Sequence, residues 1–252
     1  MLLENERLDE VNDRIRLIQR TDGITFGTDA LLLAGYIGRG YRDALELGTG
    51  TGILSLLLLA REKAERITAL EVQDDYAALA QRNAALNSLE TRLTVLSCDV
   101  RDYAPSPDAA CDLVFTNPPY MKRGTGYENP TDLKNIARRE VCGTISDFLC
   151  TAGRALRYGG SFVAVYRPDR LTDLICAMRK VGIEPKRLTA VHADTKAPVS
   201  LLLIEGRRGG GVGLYLTPPL LLYRDGEHKT YSAEMEEILE TGFFPAKYYR
   251  NK

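Results

Sequence analysis

Ala44-Leu45-Glu46-Leu47-Gly48-Thr49-Gly50-Thr51-Gly52 runs from an apolar, strand-like tetrad into three glycines at every second position, and then into the run of residues 53–60. Glycines after a strand and before a helix permit a tight turn and a close approach of backbone to a nucleotide, so this stretch predicts a strand–loop–helix unit. Outward from it, residues 43–166 alternate short apolar runs with longer helix-patterned stretches, the order that implies a parallel sheet with crossover helices. Strands are expected at 44–47, 67–72, 93–96, 113–116 and 161–166. Helices are expected at 74–87, with an acidic first turn that suits the positive end of the helix dipole, and at 146–156, closed by Gly159 and Gly160. Two more strands, 187–193 and 200–205, read as a hairpin beside the parallel sheet, and residues 206–211 as a flexible loop.

The fold class predicted is α/β, doubly wound, with ligands outside the carboxyl ends of the strands. No internal repeat or long linker divides the chain, so residues 1–252 are expected to form a single domain. Within it, residues 1–39 read as a helical or loop extension, 40–206 as the core and 207–252 as a loop and tail. The extension holds an amphipathic stretch and Phe26-Gly27-Thr28-Asp29-Ala30-Leu31-Leu32-Leu33, a loop entering a helix with Thr28 or Asp29 as cap. The tail ends in Lys247, Tyr248, Tyr249, Arg250 and Lys252, read as frayed.

Composition narrows the class of molecule. At 252 residues the chain can bury a sizeable core, and with 44% hydrophobic and 27% charged residues it matches soluble globular proteins. Lys plus Arg number 33 against 34 for Asp plus Glu, so any nucleic acid is met by local basic patches, not a global field. Cys98, Cys111, Cys142, Cys150 and Cys176 lack C-x-x-C spacing, and His192 and His228 are the two histidines, so no metal site is expected. The amino terminus lacks a signal-peptide pattern and residues 53–60 are too few to cross a bilayer. A cytoplasmic location with no membrane partner is expected.

The glycine loop departs from the dinucleotide fingerprint. That pattern needs a third Gly three residues after the second, but Ile53 stands there and the spacing is G-x-G-x-G through Gly48, Gly50 and Gly52. Glu46, just ahead, would repel a pyrophosphate yet attract, directly or through water, the ammonium of a methionine moiety. Glu71 ends the next strand, where an acid can accept from both ribose hydroxyls, and Asp99 ends the one after, where it can accept from the adenine amino group. Together these residues favour S-adenosylmethionine over NAD as cofactor.

Asp112-Leu113-Val114-Phe115-Thr116-Asn117-Pro118-Pro119-Tyr120 carries an apolar strand straight into a stiff loop. The two prolines fix φ and remove two backbone donors, leaving carbonyl acceptors. The Asn117 side-chain oxygen and the Pro118 carbonyl can take both N–H protons of an exocyclic amine or amide and draw its lone pair out of conjugation. Tyr120 can stack on the flat acceptor. Asn117, Pro118 and Tyr120 are thus the catalytic candidates, and Asn117 also borders the cofactor site.

These residues resemble class I methyltransferases of the N-methylating type. With Phe26 to Leu33, Ala137-Arg138-Arg139-Glu140 and Leu216-Thr217-Pro218-Pro219-Leu220, the chain resembles the bacterial tRNA1(Val) (adenine(37)-N6)-methyltransferase family over nearly its whole length. That resemblance implies a Rossmann-like, mostly parallel seven-stranded sheet with an antiparallel last pair and helices on both faces. It also implies S-adenosylmethionine as methyl donor and tRNA as substrate. Glu46, Gly48, Gly50, Gly52, Glu71 and Asp99 match the family's cofactor site by position, and Asn117, Pro118 and Tyr120 its acceptor site. A target adenine would be splayed from its stack, which costs less in an anticodon loop than in a duplex. Lys122, Arg123, Arg138 and Arg139 are the basic residues beside the acceptor motif that are expected to hold phosphates, and Tyr127 to stack on a neighbouring base.

Other readings stay open at this point: methylation of another RNA, or of a glutamine amide in a release factor. The latter fits the acceptor motif but comes with a larger amino-terminal helical domain than some 40 residues supply. A non-catalytic RNA-binding module would have little reason to keep both sites, and nucleotide-dependent oxidoreduction leaves Asn117 to Tyr120 unexplained.

Overall fold

The computed structural model describes residues 2–23, 26–106, 110–118 and 143–250. Its centre is a sheet in which β3 (Tyr41–Leu47), β4 (Ala64–Glu71), β5 (Leu93–Ser97), β6 (Cys111–Thr116) and β7 (Leu156–Tyr166) run parallel. Beside β7 lie β9 (Val199–Arg208) and then β8 (Ile183–His192), with β9 antiparallel to both neighbours. The order β8-β9-β7-β6-β3-β4-β5 is the expected mostly parallel sheet with an antiparallel pair. Two further strands of two residues each, β10 (Tyr215–Leu216) and β11 (Leu220–Leu221), pair with the outer edge of β8 and bring the sheet to nine strands among the described residues. Pro218 and Pro219, which cannot donate to a ladder, separate them.

Both faces of the sheet are covered, and the strands show it residue by residue. Leu113, Phe115, Val163 and Val165 face one core with α1 (Thr28–Tyr36), α2 (Ile53–Ala60) and α3 (Asp74–Leu86). Val114, Phe162 and Ala164 face the other with α4 (Ile145–Ala155) and α5 (Leu171–Lys180). This period-two alternation between two buried layers is why these strands read as continuous apolar runs. Thr144 caps α4 in a reciprocal capping box with Asp147, which fixes where that helix starts.

Several sequence expectations give way. Residues 6–20 form a β-hairpin, β1 (Glu6–Glu10) and β2 (Arg16–Arg20), in place of a helical or loop extension. Asn12 Oδ1 accepts from the backbone N–H of Arg14 and Ile15 and so closes the turn. The hairpin lies on α3, where Asn83 bonds both the N–H and C=O of Ile18 and Asn87 does the same for Arg16. Secondly, α1 is capped by Gly27 without a side-chain bond, while the Asp29 carboxylate accepts from Ala30 N–H within the first turn. Thirdly, α4 passes directly into β7, so Gly159 and Gly160 lie inside the strand and do not close the helix. Lastly, β9 continues through Gly206 to Arg208 where a loop was expected. A Cβ at Gly206 would stand 2.4 Å from the Met178 methyl, so that glycine marks close packing of α5 on the strand.

The carboxyl-terminal segment is also packed, not frayed. Beyond α6 (Ala233–Thr241), Tyr248 is fully buried, and its ring meets Phe244 edge-on at 5.1 Å, as Phe244 meets Tyr36 at 5.2 Å. Arg187 of β8 holds this corner. Its guanidinium lies 3.7 Å from the Tyr36 ring centroid, pairs with Glu205 of β9 at 2.8 Å, and donates to the carbonyls of Tyr36 and Tyr248. Removing Arg187 leaves Glu205, whose side chain is 19% exposed, with the longer contact to Arg207 at 3.8 Å and leaves the Tyr36 and Tyr248 carbonyls without their donor. Arg187→Leu is therefore expected to cost about 3 kcal/mol in urea unfolding; a loss below about 1 kcal/mol would show that the corner stands without it.

Candidate active site

At the carboxyl ends of β3, β4 and β6 the parallel register sets Leu47 opposite Leu70 and Glu46 opposite Phe115. Gly48, Gly50 and Gly52 all take positive φ, the conformation that an L side chain rarely adopts, so the loop between β3 and α2 requires its glycines. Gly48 and Thr49 donate their N–H groups to the Leu70 carbonyl at 2.9 Å each, which ties the loop to β4. Asn83 donates to the Thr51 carbonyl at 2.9 Å while it holds Ile18, and so connects the amino-terminal hairpin to the same loop.

Glu46 is 1% exposed and lies beneath this loop. Its Oε2 accepts from the Thr49 hydroxyl at 2.6 Å and from the Ser55 hydroxyl. Burial pushes its pKa up to about 7, with the two hydroxyl bonds working in the opposite direction. The carboxylate thus braces the loop from below, and its two hydroxyl partners were not singled out from sequence.

Glu71 is held at the end of β4 by backbone amides: Oε2 accepts from Gly50 N–H at 2.8 Å and Oε1 from Gln73 N–H at 3.0 Å. A carboxylate offers about four lone-pair directions; Oε1 also accepts from Gln73 Nε2 at 3.4 Å, so Oε2 is the oxygen that retains capacity for a hydroxyl donor. Asp99, after β5, is engaged more fully. Arg101 reaches both of its oxygens and the Arg101 N–H donates to Oδ1 at 2.8 Å, which holds the carboxyl below its ordinary range. The positive-φ loop, the loop-bracing Glu46 and the oriented Glu71 fit a nucleoside carrying an amino acid, and these are the residues that would hold it.

Asn117 and Pro118 follow β6 directly. The Thr116 hydroxyl donates to the Leu47 carbonyl at 2.7 Å and so fixes the end of β6 against the start of the glycine loop. Asn117 Nδ2 donates to Asp29 Oδ2 at 3.0 Å, a contact that joins the acceptor motif to the first turn of α1. Sequence reading placed Asp29 only as a cap. The signal available was its position two residues after Gly27 in the stretch that carried the family resemblance. Asn83 was also missed, although a polar residue among Leu79, Ala80 and Ala84 on the buried face of α3 marks a side chain with backbone partners.

Tyr120, Lys122, Arg123, Tyr127, Arg138 and Arg139 lie outside the described residues. Among the described residues no group of three or more His, Cys, Asp or Glu side chains could hold a metal ion, and no helix is long and apolar enough to cross a membrane. A cavity of about 340 Å³ lies at the amino ends of the strands, lined by Arg42, Thr68, Arg92 and Cys111, at the opposite end of β6 from Asn117.

Residues 21–175 match the family model for the methyltransferase small domain. A protein from Citrobacter koseri named tRNA1(Val) (adenine(37)-N6)-methyltransferase is 34% identical over 206 residues, covering 79% of this chain and 83% of its own. One of the same name from Parabacteroides distasonis is 29% identical over 180 residues, covering 71% of this chain and 75% of its own. Among solved structures, an Agrobacterium tumefaciens protein described as a predicted O-methyltransferase superposes with a TM-score of 0.68 at 23% identity, over 86% of this chain and 98% of that one. The chain belongs to the methyltransferase small domain family and, with its Citrobacter koseri relative, to the tRNA1(Val) (adenine(37)-N6)-methyltransferase family, whose methyl donor is S-adenosylmethionine.

Proposed function

We propose that this enzyme methylates the exocyclic N6 of an adenine in the anticodon loop of a tRNA, in the cytoplasm, with Asn117 and Pro118 holding the amine. The observation that carries the reading is the placement of Asn117 and Pro118 at the end of β6, fastened by Thr116 to the strand that opens the glycine loop. Two oxygen acceptors at that point, the Asn117 amide and the Pro118 carbonyl, meet the two N–H donors of an exocyclic amine. S-adenosylmethionine supplies an electrophilic methyl group when bound. The acceptors withdraw the amine's lone pair from conjugation and match the charge that develops on nitrogen. No strong base is required, because the proton leaves after the nitrogen has become cationic. In this reading Tyr120 stacks on the base, Tyr127 on a neighbour, and Lys122, Arg123, Arg138 and Arg139 meet phosphates. Glu71 and Asp99 take the ribose and adenine of the cofactor, with Glu46 supporting the loop around its amino-acid end.

The reading is tested by transfer of radiolabelled methyl to unmodified bulk tRNA, with ribosomal RNA and release factor alongside. Asn117→Ala is expected to lower transfer to tRNA by about 100-fold or more while cofactor affinity stays within about twofold. Near-normal transfer would remove Asn117 from the reaction. Glu71→Ala is expected to weaken cofactor binding at least about tenfold in calorimetry, since bonds to a charged acceptor contribute about 1.5–3 kcal/mol; unchanged affinity would exclude the ribose contact.

Glu46 is expected to make the ligand-free protein sensitive to pH. Its folded pKa of about 7 lies above the unfolded glutamate value of about 4.3. The stability linked to its protonation is fully present below pH of about 4.3 and is lost as pH rises through about 7. Between pH 5 and 8 wild type should lose on the order of 2 kcal/mol relative to Glu46→Gln in urea unfolding. Parallel pH curves for the two proteins would contradict a protonated, buried Glu46.

A further inference from the structure

Asp29 is the second residue of α1, and 88 positions separate it from Asn117. Its two carboxylate oxygens have different partners: Oδ1 accepts from Ala30 N–H at 2.9 Å and Oδ2 from Asn117 Nδ2 at 3.0 Å. The loop ahead of it is built to hold it there. A Cβ on residue 27 would stand 2.9 Å from Asp29 Oδ1, so Gly27 leaves the carboxylate its room. The buried side chain of Gln19, on the amino-terminal hairpin, accepts from Phe26 N–H at 3.0 Å and anchors the same loop.

A carboxylate only accepts hydrogen bonds, whereas a carboxamide has one donor end and one accepting end. Facing Asp29, the Asn117 amide avoids setting oxygen against oxygen only when its NH2 points at the carboxylate. Its Oδ1 is then the end left for a substrate. The reverse orientation would present NH2 to the N–H groups of an incoming amine, donor against donor, at the atom that reacts. An unconstrained amide has little to choose between these two orientations, and a charge-assisted bond biases the choice by about 10- to 100-fold.

We propose that Asp29 is a positioning residue for methyl transfer, selecting the amide orientation of Asn117 in which the oxygen faces the amine. This rests on Asn117 holding the acceptor amine, as set out above. The amino-terminal hairpin thereby contributes to the reaction through Gln19, the Phe26-Gly27 segment and Asp29, without itself touching the reacting atoms.

The test is a set of single-turnover transfer rates on unmodified tRNA for Asp29→Asn, Asn117→Asp, the double variant and Asn117→Ala, with cofactor affinity and melting temperature measured for each. Asp29→Asn is isosteric and its oxygen can still accept from Ala30. Its NH2 would then turn the Asn117 oxygen inward, and transfer should fall about tenfold or more with affinity and melting temperature unchanged. Asn117→Asp alone sets two carboxylates against each other and should also be slow. In the double variant the amide introduced at position 29 donates to the carboxylate introduced at position 117, whose second oxygen faces the amine. Transfer there should exceed both single variants by at least about fivefold. Wild-type rates in Asp29→Asn, or a double variant no faster than either single one, would overturn the proposal while Asn117→Ala remained inactive. Wild-type rates in Asn117→Ala would instead remove the reading of Asn117 on which it depends.

Discussion

Parallel pairing of β3 with β4 on one side and with β6 on the other is the constraint from which the site follows. Because the three strands run the same way and end level with one another, the glycine loop, Glu71 and Asn117 emerge at a single edge of the sheet. The hydrogen bonds at that edge make the level ending specific. The Leu70 carbonyl accepts from Gly48 and Thr49, and the Leu47 carbonyl accepts from Thr116. A slip of one residue in either register would reverse which side chains enter the two cores and would move Glu46 out from beneath its loop.

The acids at this edge are not equivalent, and their surroundings separate their tasks. Glu46 is enclosed, so its charge is expensive, and its Oε2 accepts from the hydroxyls of Thr49 and Ser55. Glu71 is oriented by Gly50 and Gln73, with a lone pair left open on Oε2. Asp99 is committed to Arg101, so a ligand there would compete with an existing ion pair. Sequence spacing places all three near successive strand ends, and packing gives each a different set of hydrogen-bond partners.

The parallel core was legible because its signals are local: apolar runs of strand length, a glycine loop before a helix, and Asn117 with Pro118 directly after β6. The parts that were not legible depend on distant partners. The hairpin at residues 6–20 carries charges along both strands, as an amphipathic helix would, and is fixed by Asn83 of α3 and by Asn87 just after it. The closing segment is rich in cations and tyrosines and resembles a solvated tail until Arg187 and Tyr36 are placed beside it. Strand β9 passes through Gly206 because Met178 occupies the space a side chain would take, a fact invisible from the glycine itself. Asp29 belongs to the same class, since its partner Asn117 is brought near only by the packing of α1 against the sheet.

The central claim is that this edge delivers a methyl group to the exocyclic amine of an adenine in tRNA. Its most direct measurement is mass-spectrometric mapping of unmodified tRNA after incubation with the enzyme and deuterated S-adenosylmethionine. The account predicts the labelled methyl on N6 of one adenine in an anticodon loop. Label on a ring nitrogen, a ribose or a carbon, or label absent from tRNA and found on a glutamine amide of release factor, would contradict it.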